Sequence, residues 1–554
     1  MSSSIDSTTS LIGSIYPSAN TAVFPEQANP RYNPAKAILG MCFSGGGARA
    51  LSCALGQMRG VMASGNLIDS VGAISCVSGG TWFGSLYSYA QSSIDDEALL
   101  GSVTSPENIS VSTLQHLDQK CIGGTLPHMS NLAVGLTAGW LEYKHKHEGL
   151  PYDRFWSRLL NDMIYQFYGL GSLEKYFTLD SATVNSAVAN NPSLSSEDFI
   201  TIRKGRPFFI AGATQIFPDG EGQVLRHFEY SAQYSGTVQK FSKIGPASQD
   251  FGYGYCDNFI FNTETPTTTE TAKLVSVDAP VLPFLLSDAC GSSSAAIGAA
   301  SEDLLKNSSV FPSFNYWPVT DVGNEQVTSY GFEDGGILEN VGIVPLLRRQ
   351  YRIIIACVAS PYPVGSADGN CVDGVDGQIS RLFGLNPKPE IPPPGFSTQD
   401  TQVFDNDNQE FDDLVKALKL AKSKGSATMA TGIYKIKADN TFCISSYPDG
   451  QKVGVIWVYN DLNEEWHRKL SSDVKTLLCS DDRTNYMKNF PHYSTVGQNA
   501  SKVLGVWVPE LLYYTPQQIN LLADMHCYSM MKNLTEQLKT LSAKLGMSGS
   551  LTVS

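Results

Sequence analysis

The chain has 554 residues, of which 42% are hydrophobic and 17% charged, so it holds ample apolar material for a large folded core. Its 39 basic and 53 acidic residues leave a net charge of −14, which disfavours binding to nucleic acid and to anionic membrane surfaces. The eleven cysteines form no CxxC pair, the N-terminus has no signal-peptide pattern, and no apolar run is long enough to cross a bilayer; free thiols and a cytoplasmic location are therefore predicted.

The first strong pattern along the chain is a strand, a glycine turn, a helix and a second strand. Residues 1–34 before it are predicted to be a polar lead-in, followed by one large domain at 35–546 and a tail at 547–554. The pattern predicts a strand at 37–43, a helix at 48–64 capped by Gly65, a strand at 71–77 and a helix from Gly79 to about Ser92. Two strands joined by one crossover helix pair in parallel, so the turns that follow them lie side by side at one edge of the sheet.

The later elements are less regular. Buried strands are predicted at 206–217, 273–277, 352–360 and 452–460, and helices at 290–305, 410–425 and 516–545. The segments 93–148 and 361–400 are candidate cap or lid insertions, the second because it is rich in Pro and Gly.

The glycine turn "CFSGGGARAL" (42–51) can serve several chemistries. It has no lysine, which excludes a P-loop. Gly45, Gly47 and Ala50 satisfy the GxGxxA pattern of dinucleotide-binding proteins, and Asp69 lies at about the spacing of a ribose-binding acid. A turn of this kind also suits an oxyanion hole, because its backbone N–H groups can approach a ligand closely.

The second turn, "SCVSGGTW", places Ser78 between a strand and a helix with small residues on both sides. This is the pattern of a nucleophile elbow, in which the serine hydroxyl is held out at the sheet edge. A serine that caps the following helix fits the same pattern.

An acidic partner for Ser78 is found in "YGFEDGGILEN", where Asp334 precedes two glycines; an Asp-Gly β-turn is the simpler interpretation. Together with the two turns, Asp334 predicts a serine–aspartate dyad hydrolase. A Ser-Asp-His esterase that uses His492 remains an alternative, since the order of the three residues is that of α/β-hydrolases. Ser292 and Ser293 are rival nucleophiles, but no strand ends at them and they are predicted to cap a helix.

At this point the chain resembles a family, that of the cytosolic phospholipases A2, the fungal lysophospholipases (phospholipase B) and, more distantly, the patatins. The order of the similar blocks agrees from about residue 36 to 515. The blocks are "SGGGARAL", "VSGGTWFGSLYS", "GLPYDRFWSRLL", "RPFFI", "FEYSAQYSG", "EDGGILENVGIVPLLRR" and "NFPHYST".

The resemblance implies an α/β fold, a three-layer sandwich around a central, largely parallel sheet with inserted lid or cap segments. It implies that Ser78 is the nucleophile and Asp334 its base, and that Gly46 and Gly47 form the oxyanion hole. It assigns Arg49 to the phosphate of the substrate headgroup. A cation in the first turn of a helix is disfavoured by about 0.3–1 kcal/mol, so Arg49 needs an anion in any case, and a structural salt bridge is the alternative.

The implied activity is hydrolysis of acyl esters in glycerophospholipids or lysophospholipids through an acyl-enzyme, with transacylation as a side reaction. No metal and no cofactor are expected, and residues 1–35 are too few for a calcium-dependent C2 domain, so calcium-independent activity is expected. Contact with membranes is expected to be transient and peripheral, through apolar insertion rather than charge.

Overall fold

A computed structural model describes most of the chain. The described residues are 10–17, 24–128, 142–218, 223–242, 250–264, 266–268, 273–280, 282–295, 312–320, 322, 327–388, 400–482, 485–494, 500–503, 506–509 and 513–547.

The strands among these residues run from the N-terminal segment to the start of the last helix. They are β1 (Ser10–Pro17), β2 (Leu39–Phe43), β3 (Val71–Val77), β4 (Tyr176–Thr178), β5 (Phe199–Thr201), β6 (Phe208–Pro218), β7 (Gln223–Ser231), β8 (Tyr234–Ser242), β9 (Asp250–Asp257), β10 (Thr267–Thr268), β11 (Leu274–Asp278), β12 (Ser313–Tyr316), β13 (Thr328–Asp334), β14 (Ile353–Val358), β15 (Cys371–Val372), β16 (Val375–Asp376), β17 (Met429–Tyr434), β18 (Val453–Tyr459), β19 (Asp481–Asp482), β20 (Asn485–Tyr486), β21 (Ala500–Val503) and β22 (Val506–Pro509).

The helices are mostly short, with one long helix near the C-terminus. They are α1 (Gly47–Ala63), α2 (Gly79–Tyr89), α3 (Asp96–Leu100), α4 (Val111–Gln115), α5 (Thr125–His128), α6 (142–148), α7 (Phe155–Met163), α8 (Ser181–Asn190), α9 (Leu286–Ser293), α10 (Val344–Arg348), α11 (Gly377–Ser380), α12 (Glu410–Ser423), α13 (Glu464–Lys469), α14 (Ser472–Leu478) and α15 (Pro516–Lys544).

One 14-stranded sheet organises the described residues, in the order β10-β11-β1-β9-β8-β7-β6-β3-β2-β14-β18-β17, with β13 on β6 and β12 on β13. Its centre is parallel: β6, β3, β2, β14 and β18 run in one direction. The flanking pairs, such as β6 with β7 and β17 with β18, are antiparallel. The α/β fold with a central parallel sheet is therefore confirmed.

The central strands read as continuous apolar runs because helices cover both faces of the sheet. On one face Phe43 packs edge-on against Phe83 of α2, with ring centroids 5.2 Å apart, and α15 packs along α1. On the other face a Cβ at Gly40 would lie 3.0 Å from the Leu346 side chain of α10. Phe383 faces Trp457 at 6.4 Å. The structure thus has the three layers that the sequence predicts.

A buried ion-pair network lies between α10 and β7. Arg348 and Arg349 donate to the two carboxylate oxygens of Glu229 at 2.7 and 2.9 Å. Arg349 also donates to Glu26 at 2.8 Å. Burial alone would raise the pKa of Glu229, but the guanidiniums of Arg349 and Arg348 outweigh it and lower this pKa to about 2.

The N-terminal segment differs from the prediction. Ser10–Pro17, which the sequence analysis placed in a polar lead-in, forms β1 and lies in the sheet between β11 and β9. Its inward residues Leu11 and Ile15 are buried. The lead-in was predicted from composition, whereas this strand depends on edges supplied by residues more than 200 positions away.

Other predicted boundaries need small corrections. The helix predicted at 290–305 begins earlier, at Leu286, and ends at Ser293; residues 296–311 lie outside the described part. The described part of the Pro- and Gly-rich segment, residues 361–388, contains regular elements: β15, β16, α11 and a 3₁₀ helix at Arg381–Phe383. Residues 389–399 of that candidate lid, and 129–141 of the other, lie outside the described part. All eleven cysteines are free thiols.

Candidate active site

The glycine turn joins β2 to α1 at the carboxyl edge of the parallel strands. Gly46 has φ 138° and caps α1, and Gly47, the first residue of α1, has φ 56°; L-residues rarely adopt either conformation. Within the described residues, neither the Gly46 nor the Gly47 amide donates to another protein group. Unpaired N–H groups at a helix N-terminus attract negative charge.

Ser78 occupies the turn between β3 and α2, with φ 52° and ψ −123°. Such a conformation costs a non-glycine residue about 1–3 kcal/mol and is held only by surrounding structure. Part of that support is the Ser78 amide, which donates to the Ser293 carbonyl at 3.1 Å and to the Ser293 hydroxyl at 3.2 Å. The backbone has the strained geometry of a nucleophile elbow.

The two turns touch each other. A Cβ at Gly45 would lie 3.1 Å from Cβ of Ser78, and one at Gly79 would lie 2.1 Å from the Gly47 carbonyl oxygen. A Cβ at Gly80 would lie 2.5 Å from the Phe43 carbonyl oxygen. Glycine at 79 and 80 therefore lets the serine turn approach the backbone of the glycine turn closely.

Strand β6 brings Asp334 to Ser78. Its residues Phe208–Gly212 pair in parallel with β3, and beyond the end of β3 the same edge pairs antiparallel with β13. Strands β3 and β13 therefore run toward each other along one edge of β6, and Ser78 and Asp334 lie where their C-terminal ends meet. Asp334 is opposite Ala213, one residue beyond the partner of Val77.

The serine hydroxyl and the aspartate form a direct hydrogen bond. Oγ of Ser78 donates to Oδ2 of Asp334 at 2.6 Å, and the side chains are largely buried, with 9% and 5% of each residue exposed. The other oxygen, Oδ1, accepts from the Gly336 amide at 2.7 Å, and Thr214 donates to the Asp334 carbonyl at 3.0 Å. The carboxylate is thus oriented from its own turn and from β6, and it can accept a proton from the serine.

Asn340 links the aspartate turn to the glycine turn. Its carbonyl accepts from the Gly45 amide at 3.0 Å. Its Oδ1 fills the space between Gly45 and Gly336, where added Cβ atoms would lie 2.1 and 2.3 Å from it. Its Nδ2 donates to Gln378 at 2.9 Å, which ties α11 to the same unit. Sequence reasoning missed Asn340 and Gln378, since no local pattern marks either residue.

Arg49 lies in the first turn of α1 with 3% of its surface exposed. Its Nε donates to the Ala359 carbonyl at 2.9 Å and its Nη1 to the Tyr493 carbonyl at 2.6 Å. These contacts hold the guanidinium beside the glycine turn, where it lines a pocket together with Gly46 and Gly336. The partial negative charge of these two carbonyl oxygens therefore offsets part of the cost of a cation in the first turn of a helix.

The structure does not bring the alternative site residues to Ser78. His492 contacts the Asp461 carboxylate at 3.4 Å and the Ser360 carbonyl at 3.4 Å. Asp69 precedes β3, at the opposite edge of the sheet from the glycine turn, and is exposed. The arrangement of a dinucleotide site, in which the acid follows the second strand, is therefore not present.

Ser293 has a different role from the predicted helix cap. It ends α9 rather than starting it, so the prediction of an N-terminal cap for Ser292 and Ser293 is wrong. The Ser293 hydroxyl donates to the Gly212 carbonyl at 2.6 Å and bonds the Thr81 hydroxyl at 2.8 Å. Together with the bonds from the Ser78 amide, these contacts let Ser293 stabilise the Ser78 turn.

Among the described residues, no group of three or more His, Cys, Asp or Glu side chains is arranged to hold a metal ion. No helix in this part of the chain combines the length and apolarity needed to cross a membrane.

Comparison with known proteins gives structural likeness without sequence matches. No protein-family model and no curated protein matches the chain. A structure of human GIVD cytosolic phospholipase A2 has a TM-score of 0.48 and 13% identity over 96% of this chain and 66% of that chain. The same human protein in complex with methyl γ-linolenyl fluorophosphonate gives a TM-score of 0.42 and 12% identity, over 95% of this chain and 64% of that one. A third structure, of the human protein with the same inhibitor and terbium chloride, gives a TM-score of 0.41 and 13% identity, over 95% of this chain and 65% of that chain. This chain spans less than two thirds of the length of those chains.

Proposed function

We propose that the protein is a serine-dependent acyl-ester hydrolase that releases fatty acid from glycerophospholipids or lysophospholipids. The observation that carries the proposal is the 2.6 Å hydrogen bond from Oγ of Ser78 to Oδ2 of Asp334, on a strained turn beside two glycine amides that have no partner among the described residues. The choice of a lipid substrate rests on the resemblance of the motifs, and of their order along the chain, to the cytosolic phospholipases A2 and fungal lysophospholipases.

In the proposed mechanism Asp334 takes the hydroxyl proton while Oγ of Ser78 attacks the ester carbonyl. The carbonyl oxygen becomes an oxyanion that accepts from the Gly46 and Gly47 amides; losing one such donor typically costs about 10²–10³ in rate. The tetrahedral intermediate collapses as the C–O bond to the glycerol oxygen breaks, and that oxygen takes the proton from Asp334.

The acyl-enzyme is then hydrolysed by the same groups. Asp334 accepts a proton from water, the hydroxide attacks the acyl carbon, and the fatty acid leaves as Oγ of Ser78 recovers the proton. An alcohol in place of water receives the acyl group, which gives the transacylase side reaction. Arg49 at the adjoining pocket is assigned to the substrate phosphate, since a guanidinium pairs well with phosphate oxygens.

Nothing in this scheme requires a metal or a cofactor, and the proposed setting is cytoplasmic with transient peripheral contact to membranes. The test is release of fatty acid from phosphatidylcholine and lysophosphatidylcholine, with and without calcium chelator, by wild type, Ser78→Ala, Asp334→Asn and His492→Ala. The proposal expects release to be lost in the first two variants and kept in the third. Loss of release in all three variants, with His492→Ala normally folded, would favour the Ser-Asp-His alternative.

A further inference from the structure

A pocket of about 300 Å³ adjoins the Ser78–Asp334 pair. Gly46 of the glycine turn and Gly336, whose amide orients Asp334, form its inner wall. The outer wall comes from α11 and the 3₁₀ helix at Arg381–Phe383. A group attached to the ester oxygen of a bound substrate would enter this pocket.

Two cations line the pocket, Arg49 and Arg381. The Arg49 guanidinium is fixed by the Ala359 and Tyr493 carbonyls. Arg381 is only half-buried, and across the described residues its guanidinium has neither a hydrogen-bond partner nor an ion-pair partner. An unpaired guanidinium that faces a concave polar pocket is suited to bind an anion.

The two acids of the pocket are already occupied by protein groups. Glu339 accepts the amides of Val341 and Gly342 at 2.7 and 3.0 Å. Asp376 accepts the Gln378 amide at 3.1 Å on one oxygen and the Ser360 hydroxyl at 2.7 Å on the other. Neither carboxylate presents an open pair of oxygens to a cationic ligand.

The rest of the lining also favours an anion over a quaternary ammonium group. Such a group is usually held by several aromatic faces, and Tyr362 is the one aromatic side chain among the described residues that line this pocket. Four neutral hydrogen-bonding side chains also line the pocket, Asn340, Asn370, Gln378 and Thr401, beside the apolar Leu338, Pro361, Leu382 and Pro387.

We infer that Arg381 is a second anion-binding residue beside the dyad and that it selects substrates whose headgroup ends in an anionic phosphate over those that end in choline. This inference rests on the proposed function, since it names the substrate class of the same site. Arg49 and Arg381 bind the headgroup phosphate together, and a phosphate monoester, which carries the larger charge, gains most from the second guanidinium.

The test compares lysophospholipids that carry one acyl chain and differ only in headgroup: phosphate monoester, phosphoglycerol and phosphocholine. Monoacylglycerol with the same chain serves as the neutral ester, and all four are presented at low mole fraction in uncharged detergent micelles so that surface charge stays constant. For wild type we expect kcat/KM on the phosphate monoester to exceed that on the phosphocholine by about 10-fold or more, the factor typical of one charge-assisted hydrogen bond.

Arg381→Gln is expected to abolish this preference and Arg381→Lys to retain part of it. The matched control is Lys419→Gln, which removes one positive charge from the exposed face of α12, outside the pocket. Lys419→Gln is expected to keep the wild-type ratio between headgroups. Because the readout is a ratio between substrates, a loss of folded protein in any variant does not change it.

Four results would overturn the inference. A wild-type preference for phosphocholine, or equal headgroup ratios in wild type and Arg381→Gln, would remove Arg381 from substrate selection while the proposed function stands. Inhibition of monoacylglycerol hydrolysis by inorganic phosphate in wild type but not in Arg381→Gln, without any headgroup preference, would assign the pocket to free phosphate. If wild type cleaves none of the four esters, the proposed function fails and this inference with it.

Discussion

Glu339 makes the stability of this protein depend on pH in a way that can be measured. Glu339 is 3% exposed. Its carboxylate accepts backbone amides of the Val341–Val344 segment, but burial dominates and raises its pKa to about 7, from an ordinary value of 4.5. The folded protein therefore holds this proton more tightly than the unfolded chain does. The contribution of Glu339 is fully present below about pH 4.5 and is lost as the pH rises through about 7.

The size of the effect follows from the two pKa values. A difference of about 2.5 pKa units, at about 1.36 kcal/mol per unit, corresponds to about 3 kcal/mol in total. Of this, about 2.5 kcal/mol falls between about pH 5 and pH 8, where the unfolded chain is ionised first and the folded protein follows. The free energy of unfolding is measured by urea titration at several pH values in that range.

The variant Glu339→Gln carries no titratable group and is expected to lose that part of the pH dependence, even if its stability is lower overall because an amide cannot accept all of the backbone N–H groups. Glu197→Gln, an exposed glutamate on the surface, is the matched control and is expected to keep the wild-type slope. Equal slopes for wild type and Glu339→Gln between about pH 5 and pH 8 would refute the reasoning about burial.

Two further predictions concern packing and charge. Gly79→Ala places a Cβ 2.1 Å from the Gly47 carbonyl oxygen, so it is expected to push the two turns apart. We expect kcat/KM on any acyl ester to fall by about 10²-fold or more. The control measured beside it is Gly369→Ala, whose added Cβ would lie 3.8 Å from its nearest neighbouring atom. Glu229→Gln leaves the guanidiniums of Arg348 and Arg349 without their shared anion, and is expected to lower the free energy of unfolding by about 3–5 kcal/mol in urea titrations.

Each of these predictions has an outcome that contradicts it. Wild-type turnover by Gly79→Ala would mean that the serine turn does not need to touch the glycine turn. If Glu229→Gln lowers the free energy of unfolding by less than about 1 kcal/mol, then solvent or another carboxylate must balance the charge of the buried arginines.

The parallel centre of the fold could be predicted because its signals are local. The strands Leu39–Phe43 and Val71–Val77 are continuous buried apolar runs, and each is followed by a glycine or serine turn and a helix. Helix α15 likewise shows its apolar face in a single sequence window.

What the sequence could not predict depends on contacts between distant segments. Strand β1 pairs only with strands more than 200 residues further along the chain, so its sequence predicted a polar lead-in rather than a strand. The antiparallel pairing of β13 with β6, which brings Asp334 to Ser78, has no local signal either. Asn340 contacts Gly45, 295 positions away, and Ser293 contacts Ser78, 215 positions away; no motif spacing reveals such contacts.

The motifs that resemble those of the cytosolic phospholipases A2 predicted the site residues Ser78, Asp334, Gly46, Gly47 and Arg49, and the structure brings all five to one edge of the sheet. Their catalytic and binding roles stay predictions. Turns between strand and helix restrict residue type strongly, so they leave a readable pattern in the sequence, and this is why the sequence could place these five residues at one edge of the sheet.

The central claim is that Ser78, activated by Asp334, is the nucleophile. The most direct measurement is reaction with an alkyl fluorophosphonate, followed by intact-protein mass and peptide mapping of the adduct in wild type, Ser78→Ala and Asp334→Asn. The account predicts one adduct per wild-type chain, located on Ser78, none in Ser78→Ala, and strongly slowed labelling in Asp334→Asn. An adduct on Ser292, Ser293 or any other residue, labelling of folded Ser78→Ala, or no labelling of folded wild type would contradict it.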